Sequence, residues 1–445
     1  MLARIQLAIF AAVIGLLAAS PSCGAPSVKQ GTPPRSTQLQ LTPLPSAMAE
    51  AKRMDRDEIS DEQPSGFYAR RGANVTLTVT RLRTDHKLAV RVGFPSMWEG
   101  NNRQQIIPLS NGRNVIRANN LGPLMLIYTH DGNRPDTVDI DVSGASPMPL
   151  LVDNQTSAAA WERQLSQFSN APFVSLVSNR SMITMSMRTY RANPIREPSR
   201  AFATINQVIN WEDEVAGFDN SLPVHRPTPL RIHYIEDIYT SAGEADNFDM
   251  HETKGMIGMV STNTRDLTDP VELSKKWGIW HETGHTHQQK SWTWGDLTEI
   301  NVNIFSLYVQ SKFGQRSRLY DTSETSKTTL QLAREGLAKG APDYNAVSDD
   351  DNSYFIKLVM FHQLKEAYGW RIFINLHKAV RENPLPASAS DSDRIDLFVT
   401  QTCRLTGNNL LGFFAKWGLV PSDEAAEAIQ AANYPSPRRD PASIF

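Results

Sequence analysis

The sequence predicts an α+β protein, an N-terminal β-sandwich followed by a mainly helical domain. Three observations predict it. At 445 residues the chain exceeds one ordinary domain. From Phe67 to about Leu150 apolar residues recur with period two, as in half-buried strands. Beyond Val271 the apolar spacing is mostly helical. The composition, 40% hydrophobic and 21% charged, is globular rather than disordered. Lys plus Arg number 45 against 47 Asp plus Glu, a formal charge of −2, and no basic run interleaves with aromatics. A nucleic-acid partner is therefore not indicated.

The first element is a leader. Arg4 precedes an apolar run from Ile5 to Ala19, and small residues follow at Ala19, Ser20 and Ser22. This is the layout of a secretory signal peptide over residues 1–22. The run is short for a membrane span, which needs about 20 residues, so the mature chain is expected to carry none. Export places the protein outside the cytoplasm, secreted, periplasmic or at the cell surface. Cys23 comes next, and a lipid anchor on it is the alternative. The preceding Ser20-Pro21-Ser22 matches a lipobox poorly. The only other cysteine, Cys403, lies in an apolar setting and reads as a buried inert thiol.

Residues 23–64 begin rich in Pro, Ser and Gln and end charged, which reads as a flexible linker with a short helix around Ala47–Met54. Residues 65–152 read as the sandwich. "NVTLTVTRL", "KLAVRVGF", "GPLMLIYTH" and "TVDIDVSGA" are its strands, separated by turn residues. From 153 to 435 the pattern is mixed and then helical. "FVSLVSNRSMITMSM" and "RIHYIEDIYT" read as strand, and "RAFATINQVINWEDEVAGF" as helix. A long helical pattern after Ser353 breaks at Gly369, and residues 436–445 form a tail.

The chemistry concentrates between Trp277 and Gln310, where three of the ten histidines and four of the nine tryptophans lie. "HETGH" is His281-Glu282-Thr283-Gly284-His285. On a helix, residues four apart share a face, so both imidazoles can reach one ion. Glu282, beside the first ligand, can take a proton from a metal-activated water. A catalytic zinc usually takes three protein ligands. Glu299, in the first turn of a second helix after Gly295, is placed to be the third. The competing reading is a capping box, Asp296 as N-cap and Glu299 at the third helical position. Asp296 reads as a cap rather than a ligand. His287 faces elsewhere and reads as a solvated or loop histidine. Asn303, one turn beyond Glu299, either orients a ligand from behind or bonds to backbone. Trp277, Trp280, Trp292 and Trp294 read as core and rim packing rather than sugar platforms.

These residues resemble the M60-like, enhancin-related metallopeptidases, gluzincins with HExxH, a variable gap and then Glu. His281, Glu282, His285 and Glu299 match, with 13 residues between the last two. "TEINVNIFSLYV", "FYARRGANVTLTV" and "GNNLLGFFAKWGL" resemble further family stretches, so the likeness runs over roughly residues 65–430. The resemblance implies a thermolysin-like catalytic domain over 153–435 and one Zn²⁺ per chain. It also implies cleavage of O-glycosylated, mucin-like proteins. "DMHETKGMIGMV" keeps Met250 and His251 of a family segment but lacks its Gly-Tyr-Pro.

The expected function is thus an extracytoplasmic zinc endopeptidase, with Glu282 as the base. A donor to the tetrahedral oxyanion is also needed, and Tyr354, His362 and His251 are the candidates. The alternatives are a non-catalytic glycan-binding adhesin retaining the fold, and a zinc aminopeptidase. The oligomeric state is not legible.

Overall fold

The structure is a computed structural model that describes residues 37–57, 59–94, 103–132, 136–238, 250–253, 255–322, 326–347 and 351–445. The leader and Cys23 lie outside the described residues. The fold is mixed α+β; the described residues form three sheets and a helical C-terminal half.

Two antiparallel sheets make the N-terminal part. One runs in the order Thr37–Leu41, Val138–Ser143, Asn74–Thr80, Gly112–Arg117. The other runs Arg103–Pro108, Lys87–Phe94, Gly122–Thr129, Glu62–Ala69, Ser146–Pro147. Period two works as expected here. In Asn74–Thr80, Val75, Leu77 and Val79 point inward and are fully buried. They meet Leu88, Val90 and Leu126 from the facing sheet in one apolar core.

The flexible-linker expectation fails from residue 37 onward. Thr37–Leu41 pairs with Val138–Val142, register Leu39 to Ile140, and completes the first sheet. The apolar alternation of Leu39 and Leu41 inside a Pro- and Ser-rich stretch is the cue, and both are fully buried. The helix Ala47–Met54 lies where the sequence places it, with Ser46 as a side-chain N-cap. Its C-cap, Asp55, holds the loop after the HETGH segment: its carbonyl accepts from the Lys290 amide and its carboxylate from the Ser291 amide.

A six-stranded mixed sheet follows, in the order Leu150–Val152, Phe173–Val177, Ser181–Ser186, Ile232–Glu236, Met256–Met259, Met250–Thr253. Leu150–Val152, counted above with the sandwich, is therefore the first strand of this sheet, parallel to Phe173–Val177. The helix Pro198–Val215 covers it with Phe202, Ile205 and Ile209. C-terminal helices, Asp351–Tyr368, Arg371–Glu382 and Asp391–Thr406 among them, enclose a second core around Trp292, Phe361 and Phe398. Gly369, at φ +73°, breaks the first two, a conformation that costs glycine little. Cys403 is buried and free, as expected.

A buried ionic bolt joins the N-terminal part to the six-stranded sheet. Glu62 accepts from Arg91 of the five-stranded sheet, with Nη2 to Oε2 at 2.5 Å. His233 of the six-stranded sheet meets the same Oε2 through Nδ1 at 3.0 Å, and its Nε2 meets Thr184 Oγ1 at 2.9 Å. Burial raises the Glu62 carboxyl, but Arg91 and His233 outweigh it and bring it down to about 2. A depressed acid contributes stability that is complete above its unfolded value and is lost as pH falls through the folded one. We expect Glu62→Gln to cost about 3–5 kcal/mol near neutral pH, because Arg91 is left buried without its counter-charge. The gap to wild type should narrow as pH falls between 4.5 and about 2, read from urea midpoints. A pH-independent gap would show that the charge is not what matters.

Candidate metal centre

The helix Trp277–His285 carries the HETGH segment, as its spacing predicts. It lies between the sheet edge and the helix pair that follows. The edge strand Met250–Thr253 packs on it closely at Gly278, where an added Cβ would lie 2.2 Å from the Met250 methyl. On the other side Gly284 admits the next helix. A Cβ there would lie 3.0 Å from Val302 Cγ2 and 3.1 Å from Phe305 Cβ. Glycine inside a helix costs about 1 kcal/mol relative to alanine, and this close approach is its structural return. We expect Gly284→Leu to destabilise the fold by about 1–3 kcal/mol through overpacking and to weaken metal retention, measured as a urea midpoint and a zinc content.

After a loop, Gly295–Leu297 makes one 3-10 turn and Thr298–Asn301 a short helix, followed by the helix Asn303–Lys312. Leu297 occupies the N-cap position of Thr298–Asn301, with no side-chain cap bond of its own. The Asp296 side chain is outside the described residues. The Glu299 side chain turns toward the histidines.

His281 Nε2 lies 3.0 Å from Glu299 Oε2 and 3.2 Å from His285 Nε2, and His285 Nε2 lies 3.6 Å from Glu299 Oε2. Both Nδ1 atoms face side-chain amides, His281 that of Asn303 at 2.9 Å and His285 that of Gln288 at 2.6 Å. Amide oxygens only accept, so each Nδ1 carries the proton and each Nε2 presents a lone pair. Three lone-pair atoms then face one another, an arrangement that calls for a positive charge between them. Burial pulls His285 down, yet Glu299 and Glu282 reverse this and push it up to about 9. Burial raises Glu299, and the two histidines more than offset it, holding its carboxyl well below the usual range. A pocket that draws a proton this strongly also suits a divalent cation, which takes the place of protons on binding. Two imidazoles and a carboxylate are a donor set that fits zinc. Glu282 is buried, 8% exposed, and close enough to His285 to influence its charge.

A second group, Asp85, His86 and His130, also brings three donor atoms within 4.8 Å. Its geometry is different. An imidazole lone pair lies in the ring plane, so a shared ion must lie near both planes. The His281 and His285 planes cross at 88° and meet. The His86 and His130 rings stack at 13° with centroids 4.2 Å apart, so their planes share no such point. Of these two groups among the described residues, the first alone has ring planes that converge.

His287 lies in the turn after the helix, as the loop alternative expects, but it is buried rather than solvated. It is turned away from the three donors and buried against the helix Pro198–Val215. There its Nε2 meets Asp213 Oδ1 at 3.2 Å and its Nδ1 meets Glu212 Oε2 at 3.3 Å. Arg180 pairs with Asp213 at 2.6 Å. Burial pushes Glu212 up to about 7, while Arg180 and His287 overcome burial at Asp213 and bring it to about 2. This network fixes the C-terminal end of the HETGH helix from behind.

Trp280, Trp292 and Trp294 are buried core residues. Trp277 is partly exposed; its Nε1 donates to Asn303 Oδ1 at 3.0 Å, and the Arg318 guanidinium stacks 4.6 Å from its ring centre. Of the oxyanion candidates, Tyr354 lies in the first turn of the long helix Asp351–Tyr368, whose Phe355 packs edge-on against Trp277. His362, two turns further, lines a cavity with Leu307, Gln310 and Trp370 onto which none of the three donors opens. The His251 side chain is outside the described residues. The sequence reading missed Gln288 and the Glu212–Asp213 pair. Gln288 had a signal, since it lies three residues beyond His285; the acids, distant in sequence, had none.

Two histidines on one helix and an acid on the next thus converge beside the edge strand of a mixed sheet. The chain belongs to the family described as Peptidase M60, enhancin and enhancin-like, whose model matches residues 144–418. It is similar to TRPM8 channel-associated factor 2 of Homo sapiens, 24% identical over 332 residues that cover 73% of this chain and 33% of that one. It therefore spans about a third of the length of the curated relatives it matches. Among solved structures, a functionally unknown conserved protein from Bacillus anthracis str. Ames has a TM-score of 0.79 at 28% identity, covering 92% of this chain and 81% of that one. The ZmpB metallopeptidase from Clostridium perfringens has 0.74 at 19%, covering 92% and 82%. The M60 catalytic domain of ZmpC from Clostridium perfringens, in complex with the sialyl T antigen, has 0.71 at 18%, covering 92% and 81%. These neighbours share the fold.

Proposed function

We propose that the protein is an exported zinc endopeptidase acting on O-glycosylated proteins, with one zinc held by His281, His285 and Glu299. The observation that carries this reading is the convergence of three lone-pair donors beside the buried Glu282. Bound zinc supplies a Lewis acid and lowers the pKa of a water to about 7. Glu282 takes the proton from the attacking water and passes it to the leaving amine. Asn303 and Gln288 keep the imidazoles oriented.

The substrate backbone has a place to lie. Met250–Thr253 pairs with Met256–Met259 on one side, and among the described residues no strand lies on its other side. Such an edge accepts an extended peptide as an added strand, which suits internal cleavage better than removal of terminal residues. Export rests on the leader at residues 1–22. Among the described residues no helix is long and apolar enough to cross a membrane. The glycoprotein substrate class is supported by the structural neighbours described with sialyl T antigen and Tn antigen.

A binding role is the second reading, favoured by relatives named as channel-associated factors. One experiment separates them: zinc-loaded protein is incubated with several mucin-type glycoproteins, and new termini are mapped before and after glycan removal. Internal cuts that disappear with the glycans support the proposal. Release of single residues indicates an aminopeptidase. Zinc bound without turnover on any of them indicates a binding protein.

A further inference from the structure

The three donor atoms come from two helices, with 13 residues, 286–298, between His285 and Glu299, and something must hold those helices in register. One polar link between them is the Gln288 amide. Its Oε1 accepts from His285 Nδ1 at 2.6 Å. Its Nε2 donates to the Thr298 carbonyl at 2.7 Å and to Asn301 Oδ1. Thr298 immediately precedes Glu299, and Asn301 is two residues beyond it. Asn301 in turn donates from Nδ2 to Thr293 Oγ1 at 2.9 Å, tying in the intervening loop. Asn303 makes a matching clasp from the opposite side: Oδ1 faces His281 Nδ1, and Nδ2 donates to the Glu299 carbonyl at 2.8 Å.

We infer that Gln288 is a positioning residue that couples His285 to the Glu299 helix and so sets the metal affinity of the site. This rests on the metal-site reading above. The chemistry leaves the amide little choice of orientation. A backbone carbonyl only accepts, so the atom facing Thr298 is the nitrogen and the atom facing His285 is the oxygen. That orientation fixes the Nδ1–H tautomer and aims His285 Nε2 at the shared point. It also places Glu299 by holding the residue before it. One side chain therefore sets two of the three donors. Outer hydrogen-bond partners of this kind are typically worth 10–100-fold in metal affinity.

The test is zinc affinity by chelator competition, with thermal unfolding of the metal-stripped protein measured in parallel. Gln288→Ala should weaken zinc binding about 10–100-fold while the unfolding midpoint of the metal-free protein stays close to wild type. Gln288→Glu separates the two halves of the role. Its carboxylate still accepts from His285 Nδ1 but has no N–H for the Thr298 carbonyl, so its affinity should fall between Gln288→Ala and wild type. Unchanged zinc affinity in Gln288→Ala overturns the proposal. So does a loss of affinity matched by an equal loss of metal-free stability, since that is a general folding defect. Wild-type protein that binds no zinc overturns the metal-site reading itself, a different result from wild-type binding that Gln288→Ala leaves intact.

Discussion

Glu282→Gln is expected to keep its zinc, its fold and its substrate binding while losing peptidase activity by 10²–10⁴-fold or more, roughly 3–5 kcal/mol of barrier. Glutamine preserves size and hydrogen bonding but has no lone pair basic enough to take a proton. Glu282 neighbours a donor on the helix without being one of the three convergent atoms. Metal retention and activity should therefore separate in this variant, which they do not do for a ligand. The measurement is metal content by mass spectrometry beside turnover of a glycosylated reporter. Glu282→Asp should also suffer, since its shorter arm displaces the carboxylate by about 1 Å, and misplacement on that scale is costly. Near-normal turnover by zinc-loaded Glu282→Gln would assign the base to another residue, and the mechanism proposed here would be abandoned.

His285→Ala is expected to lose both metal and activity together. Its Nε2 is within 3.2 Å of His281 Nε2 and within 3.6 Å of Glu299 Oε2, so its removal leaves two donors where a catalytic zinc usually has three. Zinc content should fall from about one per chain toward none after dialysis. Alanine suits the helix, so the fold should survive. Full zinc occupancy in His285→Ala would mean that the ion is held elsewhere, and the ligand assignment to His281, His285 and Glu299 would fail with it. The Asp85–His86–His130 group is the other place to look, although its stacked rings argue against it.

Much of this protein is legible in its sequence because the informative interactions are local. Helical spacing alone brings His281 and His285 to one face, and Trp277–His285 is indeed a helix. Period two alone sorts Val75, Leu77 and Val79 into a buried row. Glu299 as a ligand was one of two open readings. The geometry that now brings it to the histidines depends on the chain turning at Gly295, φ +42°, and on Gly284 letting the helices close up. What the sequence could not show is which distant polar groups meet. Glu62 lay in a stretch read as linker, yet it anchors Arg91 and His233 across 29 and 171 residues. His287 read as a solvated or loop histidine because its partners, Glu212 and Asp213, are more than 70 residues upstream. The edge position of Met250–Thr253 likewise depends on strand order, which no local pattern encodes. Backbone periodicity reports which face is buried; only the tertiary structure decides what that face is buried against, and hence which charges are paired and which donors converge.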